Sequence, residues 1–404
     1  MCCLWADRWR SFWAADVCAK WASLLRVTAT TEAGEEGERS RRRVLIHIAL
    51  AAWHLGVAMR QLPIGLALPP SMHHIVGHTV SRTGRLSPLI AGLGSCLWTL
   101  ALLLRLAAAR LTTRGDMEIL ERITRMVRDE PERGMRGAKV QACKLVHLLA
   151  LVAWISVSLT GVIIVSGLFA VNALTAASWL EVICWSAWWV QDVASVAIAA
   201  ADFAVLPAVY CLVSLDFLME MRRFEERVND CSQHLGTKIA RIEVAVLLEA
   251  AGQMVREGGR VNRFTPSVLF AILLMTMPIS VLCLFLALYS DNWFFTHAFP
   301  LVGLVVFSLA CALMGLAARV TSASQRIHGR LCSLAQRASR RDTPLGQRIL
   351  LLQVIECLGS EEQPLAMYTL TGEQYSSASF AVYLMETAVQ FTLLFSFNAY
   401  AVYS

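Results

Sequence analysis

Charged residues are scarce in this chain of 404 residues: Asp, Glu, Lys and Arg make up 16% of it, against about 25% in an ordinary soluble domain. Apolar residues make up 56%, and the mean hydropathy is +0.55. Long apolar runs alternate with arginine-rich segments, which is typical of a polytopic helical membrane protein. We therefore expect an all-α protein in a lipid bilayer, with no nucleic-acid partner.

Motifs for metal binding and catalysis are missing as well. The twelve cysteines form no CxxC pair and no metal-ligand spacing, and most lie in apolar runs, where a thiol is usually a small core residue. The chain contains no HExxH, GxSxG or P-loop motif and no N-glycosylation sequon. We expect no metal, no cofactor and no enzymatic activity.

Seven apolar segments are candidates for membrane spans, each of which needs about 20 residues. They are residues 44–68, 86–110, 145–171, 193–216, 266–289, 299–318 and 376–402. The apolar run from 175 to 218 is too long for one span. We interpret residues 179–191 as an aromatic segment outside the crossing, either re-entrant or in an outer loop.

Basic residues accumulate in every second loop between these spans. Arginines precede the first span, and Lys and Arg are frequent in residues 111–144, 217–265 and 319–375. The intervening loops contain only Arg82 and Arg85. Because Lys and Arg accumulate on the cytoplasmic side, the pattern predicts seven crossings with a cytoplasmic N-terminus and an extracellular C-terminus. A G-protein-coupled receptor has the reverse orientation.

The last apolar segment contains polar residues on one face. Ser379, Tyr383, Glu386 and Gln390 are spaced by four, three and four residues, so they share one side of a helix. A charge at the bilayer centre costs at least about 2.5 kcal/mol unless it faces protein or water. We predict that Gln390, Glu386 and Tyr383 line a pore, with Leu394 in a hydrophobic constriction. Alternatively, Glu386 is buried, protonated and hydrogen-bonded to a neighbouring helix.

An aromatic segment with one acid precedes the fourth span. Trp185, Trp188, Trp189 and Asp192 suit an organic amine or a sugar, which would bind by stacking and cation–π contact. An anchoring belt at the membrane interface is the alternative.

Asp202 is an acid in the middle of the fourth span. Such a residue is by default a candidate functional site. We predict either a ligand contact or a structural pair with Arg60 of the first span. Arg105, near the end of the second span, is expected to reach the membrane interface.

The topology and the C-terminal residues resemble arthropod gustatory receptors of the insect chemoreceptor superfamily. Gln390-Phe391 stands where the last helix of those receptors has Gln-Phe. The residue pattern of segments 350–353, 367–370 and 376–380 is similar to that of their last inner helix and its entry into the final span. Their Thr-Tyr pair is replaced by Tyr383 and Leu384, and Glu386 stands where they are apolar.

The resemblance implies a chemosensory receptor in the plasma membrane that is a ligand-gated, non-selective cation channel. Its subunits would form a homo- or hetero-tetramer with related receptors, and its ligand would be a small-molecule tastant or odorant. The last helices would meet at the pore axis. A secondary transporter with a mid-membrane acidic site at Asp202 or Glu386, or a seven-helix G-protein-coupled receptor, remain alternatives.

With that resemblance, the chain divides into four parts. Residues 1–43 are expected to be a cytoplasmic region with a Trp-rich interfacial helix. Residues 44–318 would contain the first six spans, the ligand pocket and cytoplasmic loops, into which spans four and five extend as helices. Residues 319–375 would be a cytoplasmic anchor, and 376–404 the pore-lining helix.

Overall fold

The computed structural model describes residues 36–60, 72–77, 87–113, 136–233, 238–289, 293–340, 343–358, 365–368 and 374–403. Regular secondary structure in these residues is helical, and Tyr368 and Gln374 form one isolated antiparallel bridge. The Trp-rich interfacial helix predicted within the N-terminal region, in residues 1–27, lies outside the described part of the chain.

The helices are α1 (Glu36–Met59), α2 (His73–Val76), α3 (Ser87–Thr113), α4 (Arg136–Leu174), α5 (Trp179–Gln233), α6 (Lys238–Tyr289), α7 (Trp293–Arg340), α8 (Leu345–Leu358) and α9 (Ser377–Tyr403). Five of them, α3 to α7, contain stretches long and apolar enough to cross a membrane. Helix α1 offers a shorter apolar stretch, Leu45–Met59. The described part of the chain is therefore all-helical and suited to a polytopic membrane protein, while seven crossings and their orientation stay predictions.

Helix α5 corrects one expectation. Residues 179–191 are the first turns of this single helix of 55 residues, so they form neither a re-entrant segment nor an outer loop. A helix of that length spans roughly 80 Å at 1.5 Å per residue, far more than the bilayer core of about 30 Å. Its continuation to Gln233 confirms the predicted helical extension beyond the fourth span.

The chain is made of two compact units. Unit 1 consists of Met1–Val209, Ala271–Ala310 and Met385–Ser404, and unit 2 consists of Tyr210–Phe270 and Cys311–Leu384. Helices α5, α6, α7 and α9 contribute residues to both.

Small residues bring helices of unit 1 close together. A side chain at Gly161 of α4 would place its Cβ 2.5 Å from Val196 of α5. A Cβ at Gly303 of α7 would lie 3.0 Å from that of Cys283 in α6, and Ser280 donates to the Gly303 carbonyl at 3.3 Å. Close approach at small residues, joined by side-chain hydrogen bonds, is how helices associate in membranes.

Helix α4 has large apolar side chains exposed around much of its surface. Leu148, Trp154, Ile155 and Leu159 are among them, and an 18-residue window within Leu148–Leu174 has a mean hydropathy of 2.5. So many exposed apolar side chains would be unfavourable in water. Lipid or another protein chain must therefore surround it.

Unit 2 encloses a short non-helical segment, Leu365–Tyr368. Ala366 is fully buried, and its carbonyl accepts a hydrogen bond of 2.7 Å from Asn262 Nδ2 on α6. The Met367 N–H donates to Thr321 Oγ1 on α7 at 3.3 Å. Because buried backbone groups need partners, these side chains allow an irregular segment to lie among helices.

The same segment leads into α9. The Tyr375 N–H donates to the Met367 carbonyl at 2.9 Å, and burial raises the pKa of the Tyr375 phenol to about 12. Ser376 Oγ accepts from the Ser379 N–H at 3.1 Å, which is the usual N-cap bond. The start of the last helix is thus held within unit 2.

The hydrogen bond at Asn262 yields a first prediction. Replacing Asn262 by Leu leaves the buried Ala366 carbonyl without its donor, and we expect the free energy of unfolding of the purified protein in detergent to fall by about 1–3 kcal/mol. The control is Gln353→Leu at an exposed position of α8, which should change it by no more than about 0.5 kcal/mol. Equal stability of Asn262→Leu and wild type would contradict this role.

Candidate functional site

Three helices of unit 1 are joined by polar and aromatic contacts. The Trp53 indole on α1 donates to Ser195 Oγ on α5 at 2.8 Å. His54, the next residue of α1, packs against Trp98 of α3 with ring centroids 5.9 Å apart. Helices α1, α3 and α5 therefore form one bundle, and its ionisable residues are the strongest candidate site in the part of the chain that the structure describes.

Arg60, which directly follows α1, forms a buried ion pair with Asp192 of α5. The Arg60 Nη2 donates to the Asp192 Oδ1, and the two side chains are only 6% and 5% exposed. The guanidinium carbon also lies 4.7 Å from the ring centroid of Trp188, within the range of a cation–π contact. One turn of α5 thus supplies both a counter-charge and an aromatic face to this arginine.

Trp188 is held in place by the short segment around α2. Its indole N–H donates to the His74 carbonyl at 3.2 Å. Gly77, just after α2, has a φ of 66° and packs so closely on the five-membered ring of Trp188 that a Cβ would overlap it. Only glycine combines that backbone conformation with that close approach.

A second buried pair joins α3 to α5. Arg105 Nε donates to Asp202 Oδ2 at 3.0 Å, and Arg105 Nη2 lies 2.7 Å from Oδ1, with side chains 12% and 6% exposed. This is a bidentate pair, the strongest geometry available to arginine and a carboxylate.

The pairing differs from two of our expectations. Asp202 was expected to pair with Arg60, but Arg60 meets Asp192, and Arg105 is paired with Asp202 rather than extended to the membrane interface. The two aspartates are ten residues apart on α5, or about 15 Å. A single arginine cannot reach both positions, so each carboxylate takes the guanidinium at its own depth.

The pairing also bears on the ion-binding alternative at Asp202. Both of its carboxylate oxygens are engaged by Arg105. A carboxylate in a bidentate pair cannot take up an ion without first breaking it, so this geometry disfavours Asp202 as a transporter site.

The predicted aromatic residues separate into two groups. Trp185 is fully buried, and its indole N–H has no hydrogen-bond partner among the described residues. It precedes Trp188 by three residues and so lies on the same side of α5. Trp189 faces α4 instead, where its N–H donates to Ser166 at 3.1 Å and its ring lies 5.6 Å from that of Phe169.

The predicted pore residues of α9 do not share one environment. Glu386 and Gln390 are exposed, whereas Tyr383 is buried. Thr387, which sequence reasoning missed, is buried as well. Leu394 belongs to α9, but its side chain lies outside the described part of the structure.

Sequence reasoning also missed that the arginines belong to the candidate site. The available signal was the presence of Arg60 and Arg105 in two apolar segments and of Asp192 and Asp202 in a third. Charges in apolar surroundings must be paired, so equal numbers of opposite sign pointed to two internal pairs.

Comparison of the sequence with protein-family models and with curated proteins finds no match. Hypotheses about function therefore depend on the geometry of the α1–α3–α5 bundle and on the exposed residues of α9.

The Arg105–Asp202 pair yields a second prediction. Replacing Asp202 by Leu leaves a buried guanidinium without its counter-charge, and we expect the free energy of unfolding in detergent to fall by about 3–5 kcal/mol. The double replacement Arg105→Met/Asp202→Leu removes both charges and should recover most of that loss.

An exposed pair on the same helix is the control. Arg222 and Glu226 lie 3.6 Å apart with side chains 77% and 52% exposed, and Glu226→Leu should cost less than about 1 kcal/mol. If the double replacement were as damaging as the sum of its single replacements, the pair would not be the unit that stabilises the bundle.

Proposed function

We propose that this chain is a subunit of a chemosensory, ligand-gated cation channel in the plasma membrane, with α9 lining the pore. The observation that supports this most directly is the exposure of Glu386 and Gln390 in the middle of an apolar helix. They are four residues apart and so lie on the same side of α9.

The energetic reasoning starts from the surroundings of these two residues. Val382, Met385 and Val389 are exposed on the same helix, as expected for a segment in contact with lipid or a neighbouring chain. A carboxylate at mid-membrane costs at least about 2.5 kcal/mol in lipid. Because Glu386 is exposed rather than covered by its own chain, water or a second subunit has to solvate it.

An assembly around an axis meets this requirement. Several copies of α9 meeting at one axis would place a ring of Glu386 side chains beside a water-filled path, and acidic rings attract cations. Glu386 is exposed in the single chain, so the alternative in which it is buried, protonated and hydrogen-bonded to a neighbouring helix would require that helix to come from another subunit.

The proposed pore lining contains fewer residues than we expected from the spacing of polar residues along α9. Tyr383 is buried, so we leave it out of the pore lining and keep Glu386 and Gln390. Gln390 also belongs to the Gln-Phe pair, residues 390 and 391, by which the chain resembles the chemoreceptors.

The receptor part of the proposal is supported by the bundle in unit 1. Arg60, Asp192 and Trp188 form a buried, polar and aromatic cluster covered by the segment that contains Gly77. A buried cluster of this kind can distinguish small molecules by hydrogen bonding and charge.

Cysteine accessibility tests the pore without requiring a ligand. In membranes, we expect Gln390→Cys to react with a charged, membrane-impermeant methanethiosulfonate many-fold faster than Val389→Cys, since only a thiolate in water reacts rapidly. Both positions are exposed neighbours on α9, so their local structure is matched, and the wild type with its native cysteines gives the background rate. Equally slow labelling at 389 and 390 would refute a water-filled path along α9.

A further inference from the structure

The two buried arginine–aspartate pairs use their arginines differently. Arg105 directs Nε and Nη2 to the two oxygens of Asp202. Arg60 directs only Nη2 to Asp192, and its Nε and Nη1 are buried and have no hydrogen-bond partner among the described residues. The first pair is saturated at both carboxylate oxygens, whereas Arg60 in the second keeps two separate unpaired donors, Nε–H and Nη1–H, among the described residues.

Unpaired N–H donors are energetically unfavourable inside a protein. A guanidinium carries five N–H donors and no acceptor, and a buried donor without an acceptor is costly. Arg60 is only 5% exposed. The Nε–H and Nη1–H bonds of a guanidinium point in different directions, so each of them would need an acceptor of its own. An acceptor atom brought to either donor would gain a charge-assisted hydrogen bond in a region of low dielectric constant.

We infer that an unpaired donor of Arg60, Nε–H or Nη1–H, recognises an oxygen acceptor, a carbonyl or hydroxyl, of an uncharged small molecule. This inference rests on the proposed function in one respect: such a molecule would be the activating ligand of the receptor. The binding chemistry itself requires only the Arg60 cluster.

The charge of the site excludes the cationic ligand that the sequence pattern favours. Tryptophan next to aspartate is a typical site for an organic amine, but here the guanidinium of Arg60 already occupies both the Asp192 carboxylate and the Trp188 ring. A second cation would have to displace it and leave its charge buried without a counter-ion.

An anionic ligand is disfavoured for the complementary reason. Arg60 and Asp192 together carry no net charge, so a carboxylate bound at an unpaired donor of Arg60 would add an uncompensated negative charge beside Asp192 in a buried region. An uncharged acceptor keeps the cluster neutral.

A second buried donor lies close by in sequence on α5. The Trp185 indole N–H has no hydrogen-bond partner among the described residues, and Trp185 stands one turn from Trp188, which contacts Arg60. Two donors of this kind favour a ligand with more than one oxygen acceptor.

Ligands of matched shape test the inference on the purified full-length protein in detergent. The first set is acetophenone, ethylbenzene and 1-phenylethylamine, and the second is cyclohexanone, methylenecyclohexane and cyclohexylamine. Each set presents one outline with a carbonyl acceptor, with no acceptor and with a cation. A molecule that binds the native state raises the thermal unfolding midpoint in proportion to its occupancy.

We expect at least one ketone to raise the midpoint in a concentration-dependent way, and its hydrocarbon and amine counterparts not to do so. Arg60→Lys keeps the charge opposite Asp192 but loses the planar guanidinium with its Nε–H and Nη1–H donors, so the ketone effect should be lost. Arg105→Lys makes the same chemical change in the saturated pair and should keep it.

Three outcomes would overturn the inference: no ketone exceeds its hydrocarbon, an amine exceeds its ketone, or Arg105→Lys abolishes the ketone effect together with Arg60→Lys. The channel proposal fails separately. Arg60-dependent ketone binding together with a slowly reacting Gln390→Cys would support the binding site and refute the pore. A rapidly reacting Gln390→Cys without ketone binding would support the pore and refute the binding site.

Discussion

The constraint that organises this molecule is that an ionised side chain in apolar surroundings needs an opposite charge or water. Helix α5 carries two such side chains, Asp192 and Asp202, and each meets an arginine from a different element. Arg60 comes from the end of α1 and Arg105 from α3. The pairs are therefore the contacts that determine how far α1 and α3 are displaced along α5, because a shift of one turn in either helix would leave a buried charge alone.

The same constraint applies to α9. Its middle contains a carboxylate, yet Glu386 is exposed and is not used as a counter-charge within the bundle. The charges of α5 are compensated by arginines of the same chain, so the charge of Glu386 on α9 has to be compensated by groups outside the chain. This contrast between internal compensation and external compensation is the physical basis for our proposal that the chain is a subunit that assembles around water.

Much of the architecture could be predicted from the sequence because length and hydropathy determine where helices form in a membrane protein. The limits of α5 could not, since bilayer thickness restricts the crossing but not the helix, and residues 179–191 simply continue it. The pairing of Asp202 was missed because hydropathy does not determine which part of α5 lies beside Arg60 and which part lies beside Arg105. Periodicity placed Tyr383 and Glu386 on one face of α9, but packing separates them, since periodicity does not determine which part of a face a neighbouring helix covers.

The direct test of this account is a cryo-EM reconstruction of the purified protein in lipid nanodiscs, with the copies counted and the direction of Glu386 determined. The account predicts several copies related by rotation about one axis, four if the chemoreceptor resemblance holds, with Glu386 and Gln390 directed toward that axis. A single copy with Glu386 directed into the lipid would contradict it.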